Sequence, residues 1–328
     1  MRRIIMDVDT GTDDAIAIFA AVHSDAIELV AVGTVHGNAS VENTTQNTLK
    51  VLHAAGADEI PVYPGAAEPM VKNLTPARAL PVEEPVLAGY AVIDGKKVSM
   101  NPDELDLPEP TRRPEQMKAA LFYLDYLRRA EQKITIVATG ALTNLALALR
   151  MDPSIADAIE ELVIMGGGIN KANITAAAEA NFYKDPEAAA IVLRCGAPIV
   201  LCALDATHSC SLTAEHEAKL RQIGNAAAEF TANDIRARRE SYAHFQPLER
   251  ANTAPIHDAL CIAYLIDPAV ILDLRDATCD VDCSDGISEG RLQMDPRHFR
   301  GKSNVQLALR ADPDRMCDIL AEAFSGKR

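Results

Sequence analysis

Four aspartates fall within eight residues near the start of the chain: Asp7, Asp9, Asp13 and Asp14. A short apolar run precedes them and a second, at 15–21, follows at once. Carboxylates this dense repel one another unless something neutralises them. Hard oxygen ligands in such number suit Ca²⁺ or Mg²⁺ rather than zinc. The plain alternative is a solvated acidic turn that caps a helix. That alternative fits poorly after a strand with the apolar character of a buried one.

The elements that position these acids follow from the pattern. Residues 3–8 read as a strand, Thr10-Gly11-Thr12 as a tight turn, and the next run as a helix. Asp13 and Asp14 then occupy the first helical turn, where the helix dipole favours negative charge. Asp7 and Asp9 lie at the carboxyl end of the strand, the edge where open α/β sheets bind ligands. Ile27–Val35 is a β-branched run that reads as a buried parallel strand, and 40–55, 114–129, 143–150 and 312–324 read as helices. Strand and helix alternate, which predicts a single-domain α/β fold over 1–328 with an open, mostly parallel, doubly wound (Rossmann-like) sheet. Residues 64–113 interrupt the rhythm with many prolines and read as an irregular loop over the strand ends, a candidate lid. Residues 223–255 form a second candidate lid. Within them Arg236, Arg238 and Arg239 read as a solvated helix face, and Tyr242 and His244 lie on a loop able to close over a ligand.

Composition narrows the function classes. The chain has 328 residues, is 48% hydrophobic and carries a net charge of −15. That acidity argues against a nucleic-acid polymer as partner. No apolar run approaches the ~18 residues of a membrane span, and the start has no signal-peptide core. Seven cysteines without regular spacing read as reduced thiols of a cytoplasmic protein.

Two specific rivals for the acidic turn can be weighed. An EF-hand loop counted from Asp7 needs Gly and Glu where Thr12 and Ile18 stand. A haloacid-dehalogenase-like phosphatase shares Asp7-Val8-Asp9 but not the Gly11 turn or the Asp13-Asp14 pair. Further along the chain come His36-Gly37-Asn38, Thr139-Gly140-Ala141-Leu142-Thr143-Asn144, Met165-Gly166-Gly167, Glu179-Ala180-Asn181 before Asp185-Pro186-Glu187-Ala188-Ala189, and His257-Asp258. With Asp-x-Asp-x-x-x-Asp-Asp at the start, this ordered series resembles the nucleoside hydrolases of the inosine–uridine-preferring family, from about residue 3 to 324.

The resemblance implies hydrolysis of the N-glycosidic bond of ribonucleosides to ribose and free base. It implies one Ca²⁺ per chain, held by Asp9, both oxygens of Asp14, the Thr139 carbonyl and Asp258. Asp7 is expected to support the turn from behind. Asp13 and Asn181 would meet the 2′- and 3′-hydroxyls with Asn38 near them, Asn173 and Glu179 would hold the 5′-hydroxyl, and Met165 would pack under the sugar. Asp9 would serve as general base toward a water on the ion, and His257 is the candidate acid for the leaving base, its ordinary pKa suiting neutral pH. A homodimer or homotetramer, and a place in nucleoside salvage, are also implied. The motifs bring no Lys or Arg to meet a phosphate, so a nucleoside is expected rather than a nucleotide. The alternatives are a Ca²⁺-dependent ribose- or nucleoside-binding protein without catalysis, and the phosphatase.

The chain departs from the family at the base end. It has no tryptophan, which argues against the purine-specific type that stacks the base between indoles. Ala180 stands where many relatives carry an aromatic, and 84–97 lacks their His-Gly.

Overall fold

The computed structural model describes the chain apart from residues 75–77, 79–89, 94–95, 100, 247, 296, 298–302 and 327–328. Its strands are β1 (Arg2–Val8), β2 (Ile27–Thr34), β3 (Val62–Pro64), β4 (Tyr90–Ile93), β5 (Lys96–Ser99), β6 (Ile134–Ala138), β7 (Ile159–Met165), β8 (Ile199–Cys202), β9 (Ile271–Val281), β10 (Leu292–Asp295) and β11 (Val305–Ala311). Its helices are α1 (Thr12–His23), α2 (Val41–Ala54), α3 (Ala119–Arg129), α4 (Thr143–Met151), α5 (Ala180–Lys184), α6 (Pro186–Leu193), α7 (Leu204–Ser209), α8 (Ala214–Arg221), α9 (Ala226–Phe245), α10 (Ala259–Ile266) and α11 (Pro313–Ser325).

Nine strands form one sheet in the order β10-β9-β11-β8-β7-β6-β1-β2-β3. From β11 through β3 every pairing is parallel; β9 pairs antiparallel with β11 and with β10. The expected single α/β domain with a mostly parallel, doubly wound sheet is therefore observed. Strand β1 is central because both its faces are apolar. Ile4, Met6 and Val8 enter the core beneath α1, α10 and α11, and Ile5 enters the core beneath α3 and α4. The chain runs outward through β2 and β3, then returns past β1 to β6. The two directions part between β1 and β6, and a crevice opens there at the carboxyl ends of the strands.

Boundaries shift for local reasons. The expected helix from 114 begins only at Ala119, since the Glu115 N–H donates to the Val62 carbonyl and keeps that stretch extended. The helical run from 213 breaks at Gly224, whose φ of +74° ends α8, and Asn225 caps α9. Helix α9 continues to Phe245, so Tyr242 and His244 are helical rather than on a loop. The proline-rich stretch is less irregular than expected. It carries a 3₁₀ turn at Lys72–Leu74 and the β4–β5 hairpin, while Pro76, Pro81, Pro85 and most of 84–97 lie outside the described residues. No helix among the described residues is long and apolar enough to cross a membrane.

Side-chain alternation along β1 turns Asp7 away from the crevice. Its Oδ1 accepts from Tyr123 Oη (2.9 Å) and Asn144 Nδ2 (2.8 Å), beneath the sheet. Gly33 on β2 makes room for that tyrosine: a Cβ there would stand 1.8 Å from Tyr123 Oη. Gly33→Ala is expected to lower unfolding free energy by about 1–3 kcal/mol, because the buried ring must move and release Asp7. A urea midpoint equal to that of the parent would contradict this account of the β1–α3 contact.

Candidate active site

Four strand ends converge on the crevice. β1 delivers Asp9, β2 delivers His36, Gly37 and Asn38, β6 delivers Thr139, and β7 ends at Met165. The turn after β1 is closed by the Gly11 N–H, which donates to Asp14 Oδ2 (2.9 Å). Asp14 Oδ1 accepts from Thr139 Oγ1 (2.6 Å), which joins the turn to β6. Asp9 Oδ2 accepts from the Asn38 backbone N–H (2.8 Å), and Oδ1 from Asn38 Nδ2 (3.2 Å). Gly37 permits this contact, since a Cβ there would meet Asp9 Oδ2 at 1.8 Å. Asp258, at the start of α10, arrives from the other side. One oxygen from each of Asp13, Asp14 and Asp258 lies within 4.8 Å of the other two. This close triple contains Asp13, whereas the expected ligand set contained Asp9, which is tied to Asn38.

All four of these acids are buried. Burial, helped by Asp13 and Glu179, pushes Asp9 up to about 6 against the pull of Lys184 and Asn38. Burial and the neighbouring acids push Asp14 and Asp258 well above the carboxylate range. Burial also acts on Asp13, but Arg238 and then His257 outweigh it and its pKa is lowered. The clustered oxygens are carboxylates, a set in need of positive charge, which fits a hard divalent cation.

A cavity of about 370 Å³ opens above the acids. It is lined by Asp9, Asp13, Asn38, Thr139, Met165, Asn173, Glu179, Asn181, His257 and Asp258, so the residues expected to contact metal and sugar share one wall, except Asp14, which lies beneath it. Asn181 Nδ2 donates to the carbonyls of Thr139 (2.7 Å) and Met165 (3.2 Å). Glu179 caps α5 and accepts from the N–H groups of Gly167, Asn181 and Phe182. Asn173 Oδ1 accepts from the Ala180 N–H. A second cavity of about 400 Å³ lies at the opposite edge of the sheet, near Glu161, Arg194 and Asn304, and holds no such acid cluster.

Other cavity residues escaped the sequence reading or were given a different setting by it. Arg238 is not on a solvated face. It is 3% exposed, lines the cavity and bridges Asp13 (2.7 Å) to Asp234 (2.8 Å). Tyr242, expected on a loop, lines the same wall from one turn further along α9, and Gln246, which caps the end of that helix, lines it too, whereas His244 is exposed. The spacing Asp234-Arg238-Tyr242-Gln246 was the available signal: polar residues every four positions share one helix face. Lys184 also lines the cavity, so two cations stand where the motifs promised none. Its signal was its place three residues after Asn181. From the proline-rich stretch, Asn101 reaches in: its Oδ1 accepts from the Thr12 N–H (3.1 Å) and its Nδ2 donates to Asn38 Oδ1 (3.0 Å).

His257 is in the cavity wall, but not with an ordinary pKa. Burial lowers it to about 3, so the ring is neutral at pH 7. Its Nδ1 lies 2.8 Å from Thr207 Oγ1 and its Nε2 2.7 Å from Tyr242 Oη. Thr207 Oγ1 donates to the Leu204 carbonyl, which leaves it to accept from Nδ1–H. Nε2 then accepts from the Tyr242 hydroxyl.

Residues 4–318 match the family model described as inosine-uridine preferring nucleoside hydrolase. The chain is 33% identical over 325 residues to the inosine-uridine preferring nucleoside hydrolase of Leishmania major, covering 98% of this chain and 97% of the relative. It is 34% identical to the pyrimidine-specific ribonucleoside hydrolase of Shewanella woodyi, with 98% of each chain covered. Among solved structures, the purine-preferring ribonucleoside hydrolase from Gardnerella vaginalis is similar at a TM-score of 0.82 and 28% identity, covering 99% of this chain and 98% of that one.

The site makes a prediction about pH. Asp9 sits near 6 rather than 3.8, so between those values the folded, metal-free protein holds a proton that the unfolded chain releases. Its stability therefore falls as pH rises through that window. A bound divalent cation must displace such protons. The rise in Tm produced by Ca²⁺ over a chelator is expected to be larger at about pH 7.5 than at about pH 5. Equal gains at both pH values would contradict it.

Proposed function

The chain belongs to the inosine-uridine preferring nucleoside hydrolase family, and from that premise we propose how its own residues act. It is a ribonucleoside hydrolase that cleaves the N-glycosidic bond between ribose and base. The binding-protein and phosphatase alternatives are not favoured, since its relatives are named as ribonucleoside hydrolases. The observation that carries the reading is the buried Asp9, fixed by Asn38 in the same cavity wall as Asp258, Thr139, Asn173 and Asn181.

We assign the metal to Asp9, Asp14, the Thr139 carbonyl and Asp258, with Ca²⁺ as the ion best matched to an all-oxygen set. When bound, it supplies Lewis acidity toward water and the ribose diol. Asp9 takes the proton from the attacking water as the oxygen adds to C1′. The C1′–N bond breaks with its electron pair passing to the base. Asp13 and Asn181 hold the diol, Glu179 and Asn173 hold the 5′ end, and Met165 packs under the ring. The carboxylates beside C1′ offset the positive charge that develops there. The proton for the departing base would come from the Tyr242 hydroxyl in the cavity wall, and the phenolate left behind would be reprotonated from solvent; neutral His257, its bare Nε2 turned to the phenol, orients that hydroxyl. The substrate is a nucleoside without a required phosphate. The base end, formed by Ile174, Ala180, Tyr242 and Gln246 without an indole, suits uptake of both purine and pyrimidine nucleosides for salvage. Leu121 on α3 and Leu147 and Met151 on α4 stand exposed, which supports assembly into a dimer or tetramer.

On a panel of inosine, adenosine, guanosine, uridine and cytidine, base release is expected with Ca²⁺ and its loss with a chelator. Asp9→Asn should lower kcat on the order of 10²–10⁴-fold with a smaller change in KM. Turnover that survives both treatments would overturn the assignment. Tyr242→Phe and His257→Ala should slow these nucleosides more than nitrophenyl riboside, whose leaving group needs no proton. Equal losses on both substrate types would remove the pair from leaving-group protonation.

A further inference from the structure

Lys184 has no role in the reaction as described above. Its side chain is about nine-tenths buried, and its ammonium lies 3.7 Å from Asp9 Oδ2. Among the described residues, Asp9 is the acid with which that ammonium pairs. Helix α5 sets the position. Glu179 caps its start, and Asn181 ties it to the Thr139 carbonyl. Three residues on, Lys184 projects from the same face toward Asp9. Asp185, the next residue, is pinned by Thr143 Oγ1 (2.6 Å) and the Met70 N–H (2.9 Å). The lysine is thus carried on a braced backbone. Its charge is felt at Asp9, at Glu179 and at His36.

We propose that Lys184 is a resident positive charge of the metal site, which holds the back oxygen of Asp9 and weakens the site's grip on its divalent cation. The inference rests on the metal assignment above. Asp9 divides its two oxygens. Oδ2 takes the Asn38 backbone N–H and faces Lys184, and Oδ1, touched by Asn38 Nδ2, is left for the ion. A fixed ammonium on the far oxygen draws electron density from the ligand and repels a second cation across it. In a buried site that repulsion is poorly screened. Without the ion, the same ammonium offsets part of the acids' repulsion and stabilises the empty site. Both effects favour exchange over permanent retention. Lys184 is a positioning residue: it acts on Asp9 and on the ion, with no contact to the sugar required.

The test is calcium affinity, read by titration calorimetry on chelator-stripped full-length protein. Lys184→Met is expected to bind Ca²⁺ on the order of tenfold more tightly than the parent. Lys184→Arg, which keeps the charge, should stay near the parental Kd. Lys184→Gln serves as a second neutral variant should the methionine perturb folding, judged by far-ultraviolet circular dichroism. Ion release into excess chelator should slow in both neutral variants. Unchanged or weaker calcium binding in them would overturn the proposal, and so would a raised KM with parental calcium affinity, which would make Lys184 a substrate contact. A parent that binds no divalent cation would fail at the first titration. The metal assignment would then fall and take this inference with it.

Discussion

Mutual repulsion among buried carboxylates is the constraint on which this structure turns. Asp9, Asp13, Asp14 and Asp258 are buried close together, and the raised pKa values of Asp9, Asp14 and Asp258 register the cost. The surroundings answer with partial remedies. Amide and hydroxyl donors from Gly11, Asn38 and Thr139 satisfy individual oxygens. Arg238 neutralises Asp13, and Lys184 leans on Asp9. Asp14 and Asp258 form no close ion pair among the described residues, although the charge of Arg238 is felt at Asp258, and the remaining repulsion is what a divalent cation would offset.

The sheet makes this crowding tolerable by fixing the backbone first. Parallel strands β1, β2 and β6 are apolar on both faces and hold their carboxyl ends in register. Side-chain alternation along β1 then sorts two aspartates into different environments. Asp7 points down to Tyr123 and Asn144, and Asp9, just beyond the strand, points into the crevice. Two residues of the same type, two positions apart, acquire a structural and a cavity-lining setting from geometry alone.

The cavity end proposed to hold the metal and the end proposed to hold the base are built from different material. The metal end comes from strand termini and short turns, where a shift of an ångström would break several hydrogen bonds at once. The base end comes from α9, joined to the rest through the Arg238–Asp13 pair and the Tyr242–His257 contact. A single helix face thereby links that end of the cavity to the acidic turn. Relatives of similar overall identity carry names that specify different bases.

Much was legible in the sequence because it is local. The Asp-x-Asp-x-x-x-Asp-Asp turn, the glycines beside it and the β-branched runs reflect short-range sterics and hydrophobic periodicity, so the parallel sheet and the acidic edge follow from the chain itself. The residues expected around the sugar from the ordered motifs line one cavity. What remained hidden depends on burial and on contacts between distant segments. Arg238 read as a solvated cation, because a charge on an amphipathic helix gives no sign that an acid 225 positions away will meet it. His257 read as an ordinary histidine, since its lowered pKa comes from being enclosed, which only packing decides. Lys184 passed unnoticed inside a motif, and Asn101 inside a stretch read as irregular. The sequence by itself determined the scaffold and the ligand chemistry of the acidic turn. Tertiary structure decided which charges are paired, which protons are available and what lines the base end, because each of those depends on the distance between groups that the chain keeps far apart.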